Sequence, residues 1–257
     1  MTVGRLMKKL KLAAAVVVTM LSLAGSAGAI VIDQVDTFQA GQVDGWGPDF
    51  AGVASVAPNA GPLGTGDYAL MVTSTGDPIQ GRVGSRSITL NRSQWAGNWT
   101  EAGITAIAFD AQNPNPFPIE LWIGIAGPGG AGSAGSGDVY ASLMSAAIGA
   151  NSGWSHYVID VTAAGFENAT NHSFGTLDAA LRGVTEMRLF NNVARRTDPD
   201  FANNFIGDEV AASWYVDNIA AVSAVPEPSG LWLLVPALVG ILTVWRRPDM
   251  TGQLPGK

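Results

Sequence analysis

The feature that most constrains this chain is a recurrence of short apolar or alternating segments, each closed by Gly, Pro, Asn or Asp. Ile119, Leu121, Ile123 and Ile125 alternate with Glu120, Trp122 and Gly124. Tyr157, Ile159 and Val161 alternate with His156, Val158 and Asp160 in the same way. A two-residue period gathers the apolar side chains on one face of a strand. The same pattern predicts strands over Ile30–Phe38, Ala51–Ala57, Tyr68–Ser74, Arg82–Leu90, Ile104–Asp110, Ile119–Ala126, Tyr140–Ile148, Ser155–Val161, Val184–Phe190 and Trp214–Val222. Short, evenly spaced strands separated by turns predict an all-β fold, a β-sandwich of the jelly-roll kind. One short helix interrupts it. Thr176 is placed to cap its start, Leu177, Ala180 and Leu181 lie at i, i+3 and i+4, and Gly183 can end it.

Both ends read as addresses. Arg5, Lys8, Lys9 and Lys11 precede an apolar run from Leu12 to Leu23, then Gly25-Ser26-Ala27-Gly28-Ala29. A basic start, a short apolar stretch and an A-x-A site (Ala27, Ala29) form a secretory signal helix, and cleavage is expected after Ala29. At the other end, Val225-Pro226-Glu227-Pro228-Ser229-Gly230 leads into an apolar stretch from Leu231 to Trp245, closed by Arg246-Arg247. As a helix that stretch is ~23 Å long, shorter than the ~30 Å hydrocarbon core. The arginine pair is expected to stay cytoplasmic and the preceding domain to face outward. The organisation expected is therefore a signal peptide (1–29), a β-sandwich domain (30–224), a C-terminal signal with a transmembrane helix (225–247) and a tail (248–257).

The order Pro226-Glu227-Pro228, short apolar helix, Arg246-Arg247 resembles the PEP-CTERM sorting signal of Gram-negative bacteria. That resemblance implies export through the Sec machinery, at least transient anchoring in the inner membrane through the C-terminal helix, and recognition by an exosortase, a membrane transpeptidase. It also implies a place in the cell envelope or outside the cell, beside exopolysaccharide and biofilm matrix. The tail from Pro248 to Lys257 extends past the arginines, where such signals usually stop.

Composition removes several classes of function. With Cys 0 and His 2 there is no disulfide framework, thiolate metal site, Cys nucleophile or His-rich centre. Every lysine lies in the two ends, at 8, 9, 11 and 257. Residues 30–224 hold seven arginines against nineteen Asp and Glu, a net charge of -12 where the whole chain has -7. Nucleic acid, which needs a basic stripe, is excluded as a partner. The Gly127–Gly137 run contains GxGxxG spacings but lacks the βαβ context of a dinucleotide site. No HExxH or GxSxG motif occurs, and no carboxylate pair is singled out, so the chain is not expected to be an enzyme.

The middle domain has its own resemblance. Phe38-Gln39-Ala40-Gly41…Asp44-Gly45-Trp46, Gly64-Thr65-Gly66-Asp67-Tyr68-Ala69-Leu70, Trp154-Ser155-His156-Tyr157 and Trp214-Tyr215-Val216-Asp217-Asn218-Ile219 are similar, in this order, to the signatures of galactose-binding-like jelly rolls, which include many carbohydrate-binding modules. Leu177–Phe190 is similar to bacterial laminin-B-like domains. The resemblance implies a structural Ca²⁺ between the first and last strands, held by Gln39, the turn at Asp67, and Asp217. Gln39 replaces the usual Glu, and Asp36 is a candidate to restore the charge. Ca²⁺ takes hard oxygen ligands of this kind.

Sugar recognition needs an aromatic platform with polar groups at its edge. Trp122 with Glu120 lies opposite the Ile/Leu row, and Trp99 sits in a loop-like stretch, so these residues are the sequence's candidates for ligand contact. Trp46, Trp154 and Trp214 are expected to close the core. The reading is an exported structural or adhesive protein of the envelope or matrix, associated with exopolysaccharide. The alternatives are a carbohydrate-binding module and a secreted hydrolase.

Overall fold

Two antiparallel sheets face each other across an apolar core in the computed structural model, which describes residues 30–47, 52–77, 83–130, 138–169, 175–193 and 205–223. The expected signal helix (1–29), the sorting signal and its transmembrane helix (225–247) and the tail lie outside these residues. Among the described residues no helix is long and apolar enough to cross a membrane. The chain divides into Met1–Ser223 and Ala224–Lys257, and the second unit lies wholly outside the described residues.

In chain order the strands are β1 (Val35–Asp36), β2 (Trp46–Gly47), β3 (Val53–Pro58), β4 (Tyr68–Thr75), β5 (Ile88–Asn91), β6 (Ala106–Asn113) and β7 (Ile119–Ala126). After them come β8 (Val139–Ser142), β9 (Ala146–Ile148), β10 (Ser152–Asp160), β11 (Phe166–Asn168), the helix α1 (Leu177–Arg182), β12 (Glu186–Asn191) and β13 (Ala211–Val222). The front sheet runs β10-β6-β13-β4-β3, with β1 on β13. The back sheet runs β11-β8-β7-β12-β5-β2, with β9 on β7. From β4 to β7 successive strands cross between the sheets, and β12 to β13 crosses again, which is jelly-roll wiring.

The alternation sets the core. Ile119, Leu121, Ile123 and Ile125 point from the back sheet onto Leu70, Val72, Ile107, Phe109 and Trp214 of the front sheet, all fully buried. Helix α1 forms as expected. Thr176 Oγ1 accepts from Ala179 N at 3.2 Å, and the Gly183 N–H donates to Ala180 O at 3.1 Å. Asp178 and Arg182 pair at 2.9 Å, one turn apart.

The expected elements need correction in places, and within Arg82–Leu90 the strand begins only at Ile88. Tyr140–Ile148 is two strands, β8 and β9, and both pair with β7. Ile30–Phe38 contributes only Val35–Asp36 to a sheet, because Phe38 turns the chain at φ 57°. The short strands Trp46–Gly47 and Phe166–Asn168 carry too little apolar alternation to announce themselves.

Candidate functional site

The structure moves the expected aromatic platform. Trp122 does lie opposite the Ile/Leu row of β7, but that face is covered. Trp122 is fully buried, its Nε1 donates to Asn192 O at 2.9 Å, and it belongs to a second apolar cluster with Phe190, Phe205, Ile88, Leu90 and Val139. Phe205, from a polar stretch of sequence, folds back over the sheet. Its ring contacts Phe190 and stacks under the guanidinium of Arg188, 4.1 Å away. Gly124 makes room for it, since a Cβ there would stand 2.7 Å from the Phe205 ring. Glu120 is half-buried and accepts from Ser145 Oγ at 3.2 Å. Trp99 is fully buried in the main core, its Nε1 donating to Trp95 O at 3.0 Å. None of these tryptophan faces reaches solvent.

The open aromatic surface is on the front sheet. A β-bulge between Ser152 and Ser155 sets two residues of β10, Gly153 and Trp154, against Gln112 of β6. Trp154 comes out on the outer face, half-buried. Its Nε1 donates to Ala60 O at 3.1 Å, and its ring meets Tyr215 of β13 with centroids 6.5 Å apart at 58°. Tyr215 pairs with Gln112 on one side and Met71 on the other. Trp154, Gln112, Tyr215, Met71 and Ser55 thus form one row across the strands, all half-buried.

Two residues along, a polar row runs parallel to it. His156 of β10 pairs with Asp110 of β6, which pairs with Asp217 of β13. His156 Nδ1 lies 2.8 Å from Asp110 Oδ1. A second bulge, between Asp217 and Ala220, inserts Asn218 at φ 51°, a left-handed backbone that Asn tolerates. The bulge swings the Asn218 amide so that Nδ2 donates to Asp110 Oδ2 at 2.7 Å. Asp110 is therefore held through both oxygens. Beyond this row, Val35, Ala220, Ala108 and Val158 align as a low apolar strip. The front strands carry no Lys or Arg at all.

The polar row continues inward to the residues expected to hold Ca²⁺. Gln39 Nε2 donates to Asp67 Oδ1, and Leu63 N donates to Asp67 Oδ2 at 2.8 Å. Asp217 is 1% exposed. Burial pushes its carboxyl up to about 7; the Asn218 N–H opposes this, and the charges of Asp67 and Asp110 add to it. Gln39 and Asp67 thus meet in one hydrogen bond, and the charge of Asp67 is felt at Asp217. Carboxylates are hard oxygen ligands of the kind Ca²⁺ takes, but Gln39 turns its Nε2 donor toward Asp67, and both Asp67 oxygens already accept hydrogen bonds. Among the described residues there is no group of three or more Asp, Glu or His placed to hold a metal.

Asp36 does not join Gln39 and Asp67. Its Oδ2 accepts from Trp46 Nε1 and Trp95 Nε1, each at 2.7 Å, and from Gln94 Nε2 at 3.3 Å. Burial raises its carboxyl, and the three donors oppose that rise. Two buried indoles have claimed the group expected to compensate for Gln39.

Sequence reasoning missed Trp154 and Tyr215. The signal was present: Trp154 shares parity with His156, Val158 and Asp160, and Tyr215 opposes the buried pair Trp214 and Val216. Tryptophan's bulk argued for the core more strongly than parity argued for the surface.

No family model matches the sequence, and no curated protein matches it. Solved structures share the fold. An exo-β-agarase aligns at 13% identity and TM-score 0.50 over 77% of this chain and 26% of its own. This chain thus corresponds to about a quarter of the agarase. A family 11 carbohydrate-binding module from Clostridium thermocellum, solved with a β-1,3-1,4-mixed-linked tetrasaccharide, aligns at 16% identity and TM-score 0.47, over 78% of this chain and 100% of its own. A xylan-binding CBM22-2 domain from Paenibacillus barcinonensis aligns at 12% identity and TM-score 0.42, over 74% of this chain and 99% of its own.

Proposed function

We propose that this protein is an exported, polysaccharide-binding β-sandwich of the cell envelope or extracellular matrix, with the outer face of the front sheet as its glycan surface. The observation that carries the reading is the half-exposed Trp154–Tyr215 pair beside the Asp110–His156–Asn218 cluster. An aromatic face accepts the apolar face of a sugar, while fixed acceptors at its edge take hydroxyl hydrogens. Asp110 is anchored through both oxygens, and its side chain keeps 20% of its surface exposed. The role in this reading is adhesion.

Ca²⁺ belongs to this reading as a structural ion. Gln39, Asp67 and Asp217 are the residues that would hold it. Its charge would offset the crowding of carboxylates behind the glycan surface.

Export rests on the basic and apolar leader ending at Ala29. Sorting rests on Pro226-Glu227-Pro228, the apolar stretch and Arg246-Arg247, with Sec machinery, an exosortase and the inner membrane as transient partners. Intact-mass analysis of the exported protein is expected to show residues 231–257 removed, and their retention would contradict the sorting reading. Affinity electrophoresis of the purified protein through gels holding agarose, mixed-linked β-glucan, xylan or exopolysaccharide tests the glycan reading. Retardation by at least one polymer is expected, and migration unchanged in all of them would overturn it.

A further inference from the structure

Ile30, the residue after the expected cleavage point, is already part of the fold. Its side chain is 3% exposed within the main core. Its backbone N–H donates to Ala96 O at 3.2 Å. The residues that follow are tied down in turn. Asp33 N donates to Ala221 O at 2.9 Å, Gln34 O accepts from Ala221 N at 2.9 Å, and Gln34 Nε2 donates to Gln94 O at 3.1 Å. Ile30 also lines an open pocket of about 390 Å³ with Val31, Ile32, Asn98, Glu101 and Ala102. Glu101 is the ionisable residue of that lining.

We infer that the α-ammonium of Ile30, freed by hydrolysis of the Ala29–Ile30 peptide bond, is a structural group of the exported protein, seated on the Ala96 carbonyl with Glu101 as its counter-ion. The inference rests on the leader reading, not on the glycan surface. Hydrolysis by a leader peptidase consumes one water. It leaves a carboxylate on Ala29 of the released leader and an amine on Ile30, which takes a proton at neutral pH.

In the uncut chain the Ile30 nitrogen is an amide making a neutral hydrogen bond. After cleavage the same bond is charge-assisted, and such bonds are roughly twice as strong. The anchor is pre-formed, because Ile30's side chain and the bonds at Asp33 and Gln34 fix where the nitrogen stands. Leader removal therefore does more than release the protein. It puts a charge on the existing bond to Ala96 O and offers that charge to Glu101.

The absence of lysine between 30 and 224 makes this amine chemically addressable, since it is the one primary amine of that span. The test uses the full chain, expressed in an exporting bacterial host and purified after export. N-terminal sequencing is expected to begin Ile-Val-Ile-Asp. The protein is then treated with an N-hydroxysuccinimide acetate ester, and acetyl at Ile30 is followed by peptide mass with and without urea. Folded protein is expected to react at least about tenfold more slowly than unfolded protein, and the acetylated form to melt at a lower temperature. Glu101→Gln, which leaves the leader junction untouched, is expected to narrow the difference in rate. A first residue other than Ile30, or equal rates folded and unfolded, would overturn the inference. A difference in rate that Glu101→Gln leaves unmoved would overturn the counter-ion assignment.

Discussion

His156 Nδ1 lies 2.8 Å from Asp110 Oδ1 across the β10–β6 pairing, on the open face of the front sheet. His156 is well exposed, so the contact adds little to stability. Its effect is to orient the carboxylate, jointly with Asn218 on the other oxygen. Asp110→Asn is therefore expected to leave the melting temperature within about 2 °C. The same change is expected to weaken polysaccharide binding roughly tenfold or more, the scale of a lost charged hydrogen bond. Paired melting and affinity measurements check both halves.

Asp217 carries a pH dependence whose sign follows from its burial. Its carboxyl sits at about 7 in the fold, against an ordinary value of 3.8. The folded state therefore keeps a proton that the unfolded state releases first. The stability contributed is complete below about pH 4 and is lost as pH rises through about 7. In EGTA the melting temperature is expected to fall between pH 4 and pH 8 by roughly 2–8 °C, on a scale of ~2–4 °C per kcal/mol. Asp217→Asn is expected to flatten that fall. Ca²⁺ added at pH 8 is expected to restore wild-type stability and to do nothing for the variant.

Asp36 is the polar pin of the amino-terminal segment. Its carboxylate accepts from two buried indoles, Trp46 and Trp95, whose rings stand 6.2 Å apart. Asp36→Ala leaves both N–H groups without their acceptor, at a cost of about 2–5 kcal/mol. Asp36→Asn keeps one acceptor oxygen and is expected to lose about half as much. Urea unfolding followed by tryptophan fluorescence reports both.

Arg188 and Glu186 form a buried ion pair on the back sheet, both 2% exposed. Arg188 also donates to Phe205 O at 3.1 Å, while Arg92 reaches Glu186 at 2.6 Å. Arg188→Ala strips Glu186 of its buried partner and releases Phe205, and about 3–5 kcal/mol of stability should go with it. Arg92→Ala, removing the more exposed arm, is expected to cost under about 1 kcal/mol. Denaturant titration of the two variants separates them.

The front and back sheets were legible wherever one face of a strand was polar. The Ile/Leu row of Ile119–Ala126 faces the core as its alternation says, Trp214–Val222 does so on either side of its bulge, and helix α1 follows its cap at Thr176. The second apolar cluster was not legible, because Phe205 lies in a short stretch, Asn203-Asn204-Phe205-Ile206-Gly207-Asp208, with no strand period, and period-2 patterning cannot say what covers a face. That is why Trp122 read as a surface tryptophan and proved buried. The candidate site was half legible. Gln39 and Asp67 meet in a hydrogen bond, and the parity of Trp154 with His156 was there to be read, but the bulge that brings Asn218 onto Asp110 has no local sequence signature. Asp36 was misplaced for a related reason: of its indole partners, Trp46 lies in β2 and Trp95 lies 59 residues away, and no local pattern joins either to Asp36.

Affinity electrophoresis of wild type, Trp154→Ala and Trp122→Ala in a retaining polysaccharide gel, alongside their melting temperatures, tests the glycan surface most directly. Trp154→Ala is expected to melt within about 4 °C of wild type and to lose roughly tenfold in retention, the scale of one stacked aromatic contact. Trp122→Ala should lose about 3–5 kcal/mol of stability and, while folded, keep its retention. Retention unchanged in Trp154→Ala would contradict a glycan surface on the front sheet.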